Sequence, residues 1–194
     1  MLFVARCPAC GAMHSGWCDG CYSVLVNAPV VHRSGVLVSH DYAGAMRELI
    51  VAMKYASARW VVPMLADLWV VRHEHVCEAE VVTWVPTTRA RMRERGYDQS
   101  ELIARRIARR LGLPCTALLR RLDDRAQTGR SASERREGAQ FIARRTRYGR
   151  VLVVDDVVTT GATLHHSLDA LRTSGTRLVT CAAIAATPAP EGRR

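Results

Sequence analysis

Two spacings of apolar residues run through the chain. One places an apolar residue every three or four positions, as in helices with one buried face, and the other gathers apolar residues into short continuous runs, as in buried strands. The predicted helices are 43–55, around 60–73, 99–111 and 161–173, and the predicted strands are 36–40, 80–85, 116–121, 151–154 and 177–184. Because strands and helices alternate, we predict an α/β domain with a mainly parallel sheet flanked by helices.

Polar stretches lie between and beyond these elements. Residues 86–100 are dense in arginine and are predicted to form a loop. Residues 123–140 contain no apolar run long enough for a core element and are predicted to form a mobile loop. We therefore predict a small N-terminal segment at 1–34, the α/β domain at 35–186 and a disordered tail at 187–194.

The chain is strongly basic. Its 28 Lys and Arg residues exceed its 18 Asp and Glu residues, which gives a net charge of +10, and Lys54 is the single lysine. Two explanations of the arginine excess stay open, namely GC-rich coding and an affinity for phosphates or nucleic acid. The apolar run 61–71 is interrupted by Asp67 and is too short to span a bilayer, and the first residues lack the layout of a signal peptide. We therefore expect a cytoplasmic protein.

Four of the seven cysteines are clustered near the N-terminus. The stretch CPACGAMHSGWCDGC at 7–21 holds two C-x2-C pairs separated by seven residues. Each pair can direct two thiolates to one point, so the four sulfurs suit a tetrahedral Zn²⁺ with a closed, structural shell. Disulfides and an iron–sulfur cluster are the alternatives, and a cytoplasmic location disfavours disulfides. The predicted zinc ligands are Cys7, Cys10, Cys18 and Cys21.

Two adjacent aspartates follow the apolar run 151–154. Asp155 and Asp156 lie at the carboxyl end of that predicted strand, where parallel sheets bind ligands, and TTGAT at 159–163 then begins a helix. Backbone N–H groups at a helix start and threonine hydroxyls suit a phosphate, and Gly161 lets the backbone approach it. A phosphate cradle beside two carboxylates suits a sugar phosphate, with a Mg²⁺ ion between its hydroxyls, the carboxylates and further phosphates. An acidic pair alone is also typical of response-regulator pockets.

Taken whole, the stretch from the apolar run through TTGAT resembles the phosphoribosyl-pyrophosphate (PRPP) motif of type I phosphoribosyltransferases. Three further stretches make the chain similar to the ComF family, whose members are phosphoribosyltransferase-like and associated with competence and DNA uptake. These are the cysteine cluster, YAGAMRELIVAMKY at 42–55 and VPTTRARMRERGYDQS at 85–100. The chain departs from the family at Asp98, where Asn is usual, and in QTGRSASERREGAQF at 127–141, which lacks an asparagine.

The resemblance implies a role for each motif residue. Asp155 and Asp156 would face the ribose hydroxyls, and Arg89 and Arg95 would point inward to pyrophosphate, with Arg91 and Arg93 either also used or solvated. Residues 120–136 resemble the flexible loop that closes over PRPP, and a disordered basic loop is the alternative. The implied PRPP-binding residues are Asp155, Asp156, Val157, Val158, Thr159, Thr160, Gly161, Ala162 and Thr163.

Lys54 is a further candidate on compositional grounds. A lone lysine in a chain that otherwise uses arginine suggests a position that needs a compact ammonium group. We therefore hypothesise that Lys54 lies over the site and contacts a phosphate or the incoming substrate, chance being the alternative.

Two functions are consistent with the sequence. The first is a Mg²⁺-assisted transferase that moves a phosphoribosyl group from PRPP to an unidentified acceptor. The second is a non-catalytic module of the same fold that binds nucleic acid or a partner in DNA uptake through its basic surface. Aromatic residues make up 6% of the chain and do not alternate with basic ones, which disfavours a stacking platform for single strands.

Overall fold

The alternating pattern of strands and helices folds as one α/β unit. A computed structural model describes residues 6–33, 35–55, 58–122 and 139–188. The strands are β1 (Val31–Arg33), β2 (Val36–Asp41), β3 (Val81–Trp84), β4 (Leu119–Leu122), β5 (Gln140–Ala143), β6 (Arg150–Val158) and β7 (Leu178–Ala186). The helices are α1 (Asp19–Val26), α2 (Gly44–Tyr55), α3 (Val62–His73), α4 (Arg89–Arg95), α5 (Gln99–Leu111) and α6 (Ala162–Thr173), with short 3-10 turns at Arg59–Val61 and Glu74–Val76.

The main sheet has the strand order β1-β2-β7-β6-β3. The pairs β2–β7, β7–β6 and β6–β3 are parallel, and β1 is an antiparallel edge strand. The predicted mainly parallel sheet is therefore confirmed. Since parallel strands end at the same edge, the residues that follow β3 and β6 are brought together there.

Each face of the sheet is covered by its own hydrophobic core. Helices α2, α3 and α5 pack on one face, around side chains such as Trp69, Leu152 and Ile184. Helix α6 and the β4–β5 hairpin pack on the other face, around side chains such as Val153 and Leu171. Alternate residues of β6 thus enter opposite cores, which explains why its sequence is apolar at every position from 151 to 154.

Helix α1 joins the N-terminal segment to the α/β unit. Its Leu25 enters the same core as α2 and α3. The Arg72 guanidinium of α3 donates to the carbonyls of Leu25, Val26 and Ala28 at 3.0, 3.2 and 2.9 Å, and so satisfies the carbonyl groups at the end of α1. His40 Nε2 in β2 donates to the Leu25 carbonyl at 2.8 Å.

Three elements differ from the sequence-based expectation. The stretch 86–100, predicted to be a loop, contains α4, whose ends are capped by the Thr88 hydroxyl and by Gly96 at a φ of 76°. Strand β5 falls partly within the predicted mobile loop and pairs with β4, while residues 123–138 lie outside the described residues. Strand β6 runs through both aspartates to Val158 instead of ending before them. The tail beyond residue 188 also lies outside the described residues.

Candidate functional site

The acidic pair lies in the second half of β6, at the edge of the sheet where β3 also ends. The hydroxyl of Ser100 in the first turn of α5 donates to Asp155 Oδ1 at 2.9 Å, and the backbone N–H of Asp156 donates to the same oxygen at 2.9 Å. Lys54 Nζ, in the last turn of α2, lies 2.7 Å from Asp156 Oδ2. The two carboxylates therefore have different partners, a hydroxyl for one and an ammonium for the other.

The surroundings of Asp155 oppose its ionisation. Burial and the neighbouring charge of Asp156 raise the pKa of Asp155 to about 7, from an ordinary value of 3.8. The hydrogen bonds from the Asp156 amide and from Ser100, together with the charge of Lys54, lower that pKa but do not offset the rise. Asp155 thus exchanges its proton near neutral pH, and its oxygens act as either donor or acceptor for a hydroxyl ligand.

The TTGAT stretch forms a small hollow next to the acids. Gly161 precedes α6 at a φ of 83°, a left-handed conformation that favours glycine, and no side chain caps the helix. The helix start therefore exposes backbone donors of the kind that bind anions. A hollow of about 30 Å³ is lined by Asp155, Val157, Val158, Thr159, Gly161, Ala162, Thr163 and Leu164. Of the implied phosphate-binding residues, only Asp156 and Thr160 are outside this lining, and the Thr160 hydroxyl instead accepts the Ala162 N–H at 3.4 Å.

A larger cavity of about 460 Å³ adjoins this hollow and shares four lining residues with it. Among the described residues, its charged lining consists of four basic side chains and the two carboxylates, so the cavity is electropositive. The basic residues are Lys54, Arg91, Arg95 and Arg121. Such a lining suits a ligand with several negative charges.

Helix α4 carries its four arginines on two different faces. In an α-helix residues four apart share a face, so Arg91 and Arg95 lie together, and both line the cavity. Arg89 and Arg93 are also four apart and occupy another face, and both are exposed. Arg95, predicted to point inward, lines the cavity together with Arg91, whereas Arg89, also predicted to point inward, is not in the lining. Because residues 86–100 were predicted to form a loop, the sequence offered no helical face by which these two pairs of arginines could be told apart.

The end of α2 forms one wall of the cavity, and three consecutive residues there contact three different partners. The Tyr97 hydroxyl donates to the Met53 carbonyl. Lys54 pairs with Asp156 rather than standing free over the site. The Tyr55 hydroxyl accepts from Arg95 at 3.2 Å, and the Arg95 guanidinium lies 5.0 Å from the centre of the Tyr55 ring.

The residue that departs from the ComF pattern has a structural role here. Asp98 is buried and caps α5, because its Oδ1 accepts the Glu101 N–H at 3.2 Å. Its other oxygen accepts the Thr87 N–H at 2.8 Å and so fixes the segment after β3. Burial raises the pKa of Asp98, and these backbone hydrogen bonds partly counter the rise.

Sequence reasoning missed several cavity residues. Gln99 and Ser100 line the cavity from the start of α5, and Arg121 lines it from β4. Gln99 is 2% exposed, and its Nε2 has no hydrogen-bond partner. The available signal for Gln99 was its polar side chain in the first turn of a helix that follows a strand. The sequence alone did not show whether that side chain faces the cavity or the solvent.

The four clustered cysteines fit a metal such as zinc. Their sulfurs all lie within 4.8 Å of one another, with Cys10 Sγ and Cys18 Sγ 3.6 Å apart. Tetrahedral Zn²⁺ with bonds of about 2.3 Å requires sulfurs about 3.8 Å apart. Burial raises the pKa of the Cys7 thiol, but backbone N–H groups of residues 9, 10 and 18 more than offset this and bring it down to about 6, which favours the thiolate. His14 is exposed and does not belong to the cluster.

The acidic pair offers a poorer fit to Mg²⁺. Mg²⁺ requires several oxygen ligands at about 2.1 Å in octahedral geometry. One oxygen of Asp156 already contacts the ammonium of Lys54, its Oδ1 accepts the Val157 N–H at 2.7 Å, and Asp155 Oδ1 accepts two hydrogen bonds. The residues present therefore do not form a ready magnesium site, and the predicted Mg²⁺ remains a prediction.

Within the described residues no helix has the length and apolar character needed to cross a bilayer.

Comparison with known proteins identifies relatives. Residues 98–194 match the family described as "Phosphoribosyl transferase domain". Competence protein F of Haemophilus influenzae is 28% identical over 183 residues, covering 87% of this chain and 79% of that protein. This relative confirms the resemblance to the ComF family.

Solved structures of phosphoribosyltransferases are also similar. Glutamine PRPP amidotransferase from B. subtilis has 26% identity and a TM-score of 0.45, over 65% of this chain and 25% of that one, so the chain spans a quarter of that protein. Orotate phosphoribosyltransferase from Aeropyrum pernix has 20% identity and a TM-score of 0.41, over 74% of this chain and 78% of that one. With half of its residues matched by the family and this α/β fold, the chain belongs to the phosphoribosyl transferase domain family.

Proposed function

We propose that this protein binds PRPP at the end of β6 and transfers its phosphoribosyl group to an acceptor. The observation that carries the proposal is the convergence of a helix-start hollow, two carboxylates and several basic side chains on one cavity. Each part suits a different part of PRPP, namely its 5′-phosphate, its ribose hydroxyls and its diphosphate.

In this proposal the hollow at 159–163 holds the 5′-phosphate through backbone N–H groups and threonine hydroxyls. Asp155 and Asp156 bind the two ribose hydroxyls. Arg91 and Arg95 hold the diphosphate, whose negative charge grows as it leaves. Arg89 is not in the cavity lining and takes no part in this proposal.

The transfer step breaks the bond between the anomeric carbon and the diphosphate oxygen. The electron pair of that bond leaves with the diphosphate, and a lone pair of the acceptor forms the new bond to carbon. Mg²⁺ enters in this scheme with the diphosphate, as part of the substrate. Since the sugar cation reacts readily with water, exclusion of water from the cavity protects it.

The test is calorimetric binding of PRPP to the wild type and to the Asp155→Asn/Asp156→Asn double variant. We expect wild-type binding that the double variant loses. Asp169→Asn, an exposed acid on α6, is the matched control and should bind like the wild type. Pyrophosphate release with a panel of nucleobases and amines then tests transfer. Absence of PRPP binding to the folded wild type would contradict the proposal.

We propose that the metal of the cysteine cluster is zinc in a structural role. The sulfur spacing and the thiolate-favouring surroundings of Cys7 support this, and four protein ligands leave no open position for a substrate. Elemental analysis of the purified protein should give one zinc per chain, and iron or a substoichiometric content would contradict it.

A second candidate function is binding of nucleic acid. The exposed Arg89 and Arg93 on α4, in a chain of net charge +10, and the name of the Haemophilus influenzae relative favour it. Affinity for DNA should then fall steeply with salt, and Arg93→Glu should weaken it without changing PRPP binding. Salt-independent or undetectable DNA binding would exclude this function.

A further inference from the structure

We propose that Lys54 takes the place of a divalent cation at the acidic pair, so that binding of the sugar phosphate does not require Mg²⁺. This inference rests on the proposed function and concerns how the same site is neutralised. It begins from one contact, the 2.7 Å approach of Lys54 Nζ to Asp156 Oδ2.

The contact lies inside the cavity rather than on its rim. The two side chains are only 17% and 14% exposed, so water screens their attraction weakly. A compact ammonium at the end of α2 meets the carboxylate at the distance of a charge-assisted hydrogen bond. A divalent cation that coordinated the same oxygen would have to displace Lys54 and leave its charge half-buried and unpaired, which is costly.

The position of Lys54 is held from both sides along the chain. The carbonyl of Met53 accepts the Tyr97 hydroxyl, and Tyr55 contacts Arg95. The last turn of α2 is therefore fixed against the end of α4 and the short segment before α5. The ammonium is thus directed toward β6 before any ligand arrives. Lys54 provides the fixed positive charge beside Asp156 that a bound cation would otherwise provide.

The rest of the cavity supports the same conclusion. Arg91, Arg95 and Arg121 add three positive charges to its lining. These side chains can neutralise the phosphates of PRPP directly, so that the charge on the ligand does not depend on a metal for compensation. The single lysine of the chain thus places a compact ammonium group against a carboxylate of the lining.

The experiment measures the affinity for PRPP with and without Mg²⁺ by calorimetry. Metal is removed by passing buffers and ligand through a chelating resin rather than by adding a chelator, so that the cysteine cluster keeps its metal. The readout is the ratio of the two dissociation constants for the wild type, Lys54→Met, Lys54→Arg and the control Arg93→Met, whose residue is exposed outside the cavity lining.

For the wild type and Arg93→Met we expect affinity to change by less than about threefold when Mg²⁺ is withdrawn. For Lys54→Met we expect a loss of about tenfold or more without Mg²⁺, because the metal must then supply the missing charge. Lys54→Arg keeps the charge but not the compact ammonium group, so its loss without Mg²⁺ should lie between those of the wild type and Lys54→Met. Binding of ribose 5-phosphate, which lacks the diphosphate, should follow the same order.

The outcomes separate this inference from the proposed function. Wild-type binding that appears only with Mg²⁺, or a Lys54→Met variant with the wild-type ratio, refutes the inference and leaves the proposed function standing. No binding in either buffer refutes both. A titration of Mg²⁺ into the ligand-free protein gives a second test: we expect no binding at millimolar metal, and binding that Asp156→Asn abolishes would overturn the inference.

Discussion

The raised pKa of Asp155 predicts that the ligand-free protein loses stability as the pH rises. In the unfolded chain this carboxyl ionises near 3.8, whereas in the folded protein it does so at about 7. Between these values the folded state binds more protons than the unfolded state, so the free energy of unfolding falls with increasing pH. The loss is absent below pH 4 and complete above pH 7. Asp155→Asn should remove it.

The structure sets the size of this effect. A rise of about three in pKa corresponds to a ceiling of about 4 kcal/mol, at about 1.36 kcal/mol for each unit. Because local relaxation and water entry lower the cost of a buried charge, we expect about half of that ceiling, or about 2 kcal/mol. For a chain of this length, 2 kcal/mol raises Tm by about 4 to 8 °C. Asparagine keeps an oxygen that can accept the Ser100 and Asp156 hydrogen bonds, so little else changes.

The assay is thermal unfolding of the wild type and Asp155→Asn at pH 4.5, 6 and 8 without ligand. The variant should be more stable than the wild type at pH 8, and this difference should shrink toward zero at pH 4.5. Asp169→Asn serves as the exposed control, because its ion pair with His165 lies at the surface. Equal differences at all three pH values, or a variant less stable than the wild type at pH 8, would refute the reasoning.

Three other variants test separate parts of the structure. Asp98→Ala removes the acceptor of two backbone amides and should lower the free energy of unfolding by about 1 to 3 kcal/mol in urea, while Asp98→Asn should cost clearly less. Gly161→Ala has room for its Cβ, with the nearest atom at 3.8 Å, so its cost of about 1 to 2 kcal/mol comes from the positive φ, and PRPP affinity should fall with it. Gly20→Ala, inside a helix, is its control and should be neutral or stabilising. Cys18→Ser should reduce the bound metal measured by elemental analysis, and an unchanged metal content would exclude the four-sulfur site.

The strongest sequence predictions were those in which one local pattern determines the result. The apolar run 151–154 predicted a strand covered on both faces, and the two cores beside β6 require that pattern. Helix α5 was predicted with its observed bounds because its apolar stripe ends at Gly112, and the structure adds a cap by Asp98 at its start. The cysteine spacing likewise predicted a cluster that the fold brings together.

The features that the sequence did not reveal depend on helix caps or on contacts between residues that are distant in the chain. Helix α4 has no fully buried residue, so the apolar spacing that identifies helices is absent, and its caps and the contacts of Arg95 hold it instead. Strand β5 begins within the stretch predicted to be a loop and gains its structure from pairing with β4. The partner of Lys54 lies about a hundred residues away in sequence, so only the strand order could identify Asp156.

The end of α2 has a consequence for how variants combine. Three consecutive residues, Met53 to Tyr55, are tied to Tyr97, Asp156 and Arg95; Arg95 and Tyr97 are close neighbours in the chain, whereas Asp156 lies in β6. A change at any of these contacts shifts the shared helical turn and alters the others. Substitutions around this turn should therefore be non-additive, with double-mutant cycles giving coupling energies of about 0.5 to 3 kcal/mol between residues that never touch. In evolutionary terms, the residues of this wall are expected to change together rather than one at a time.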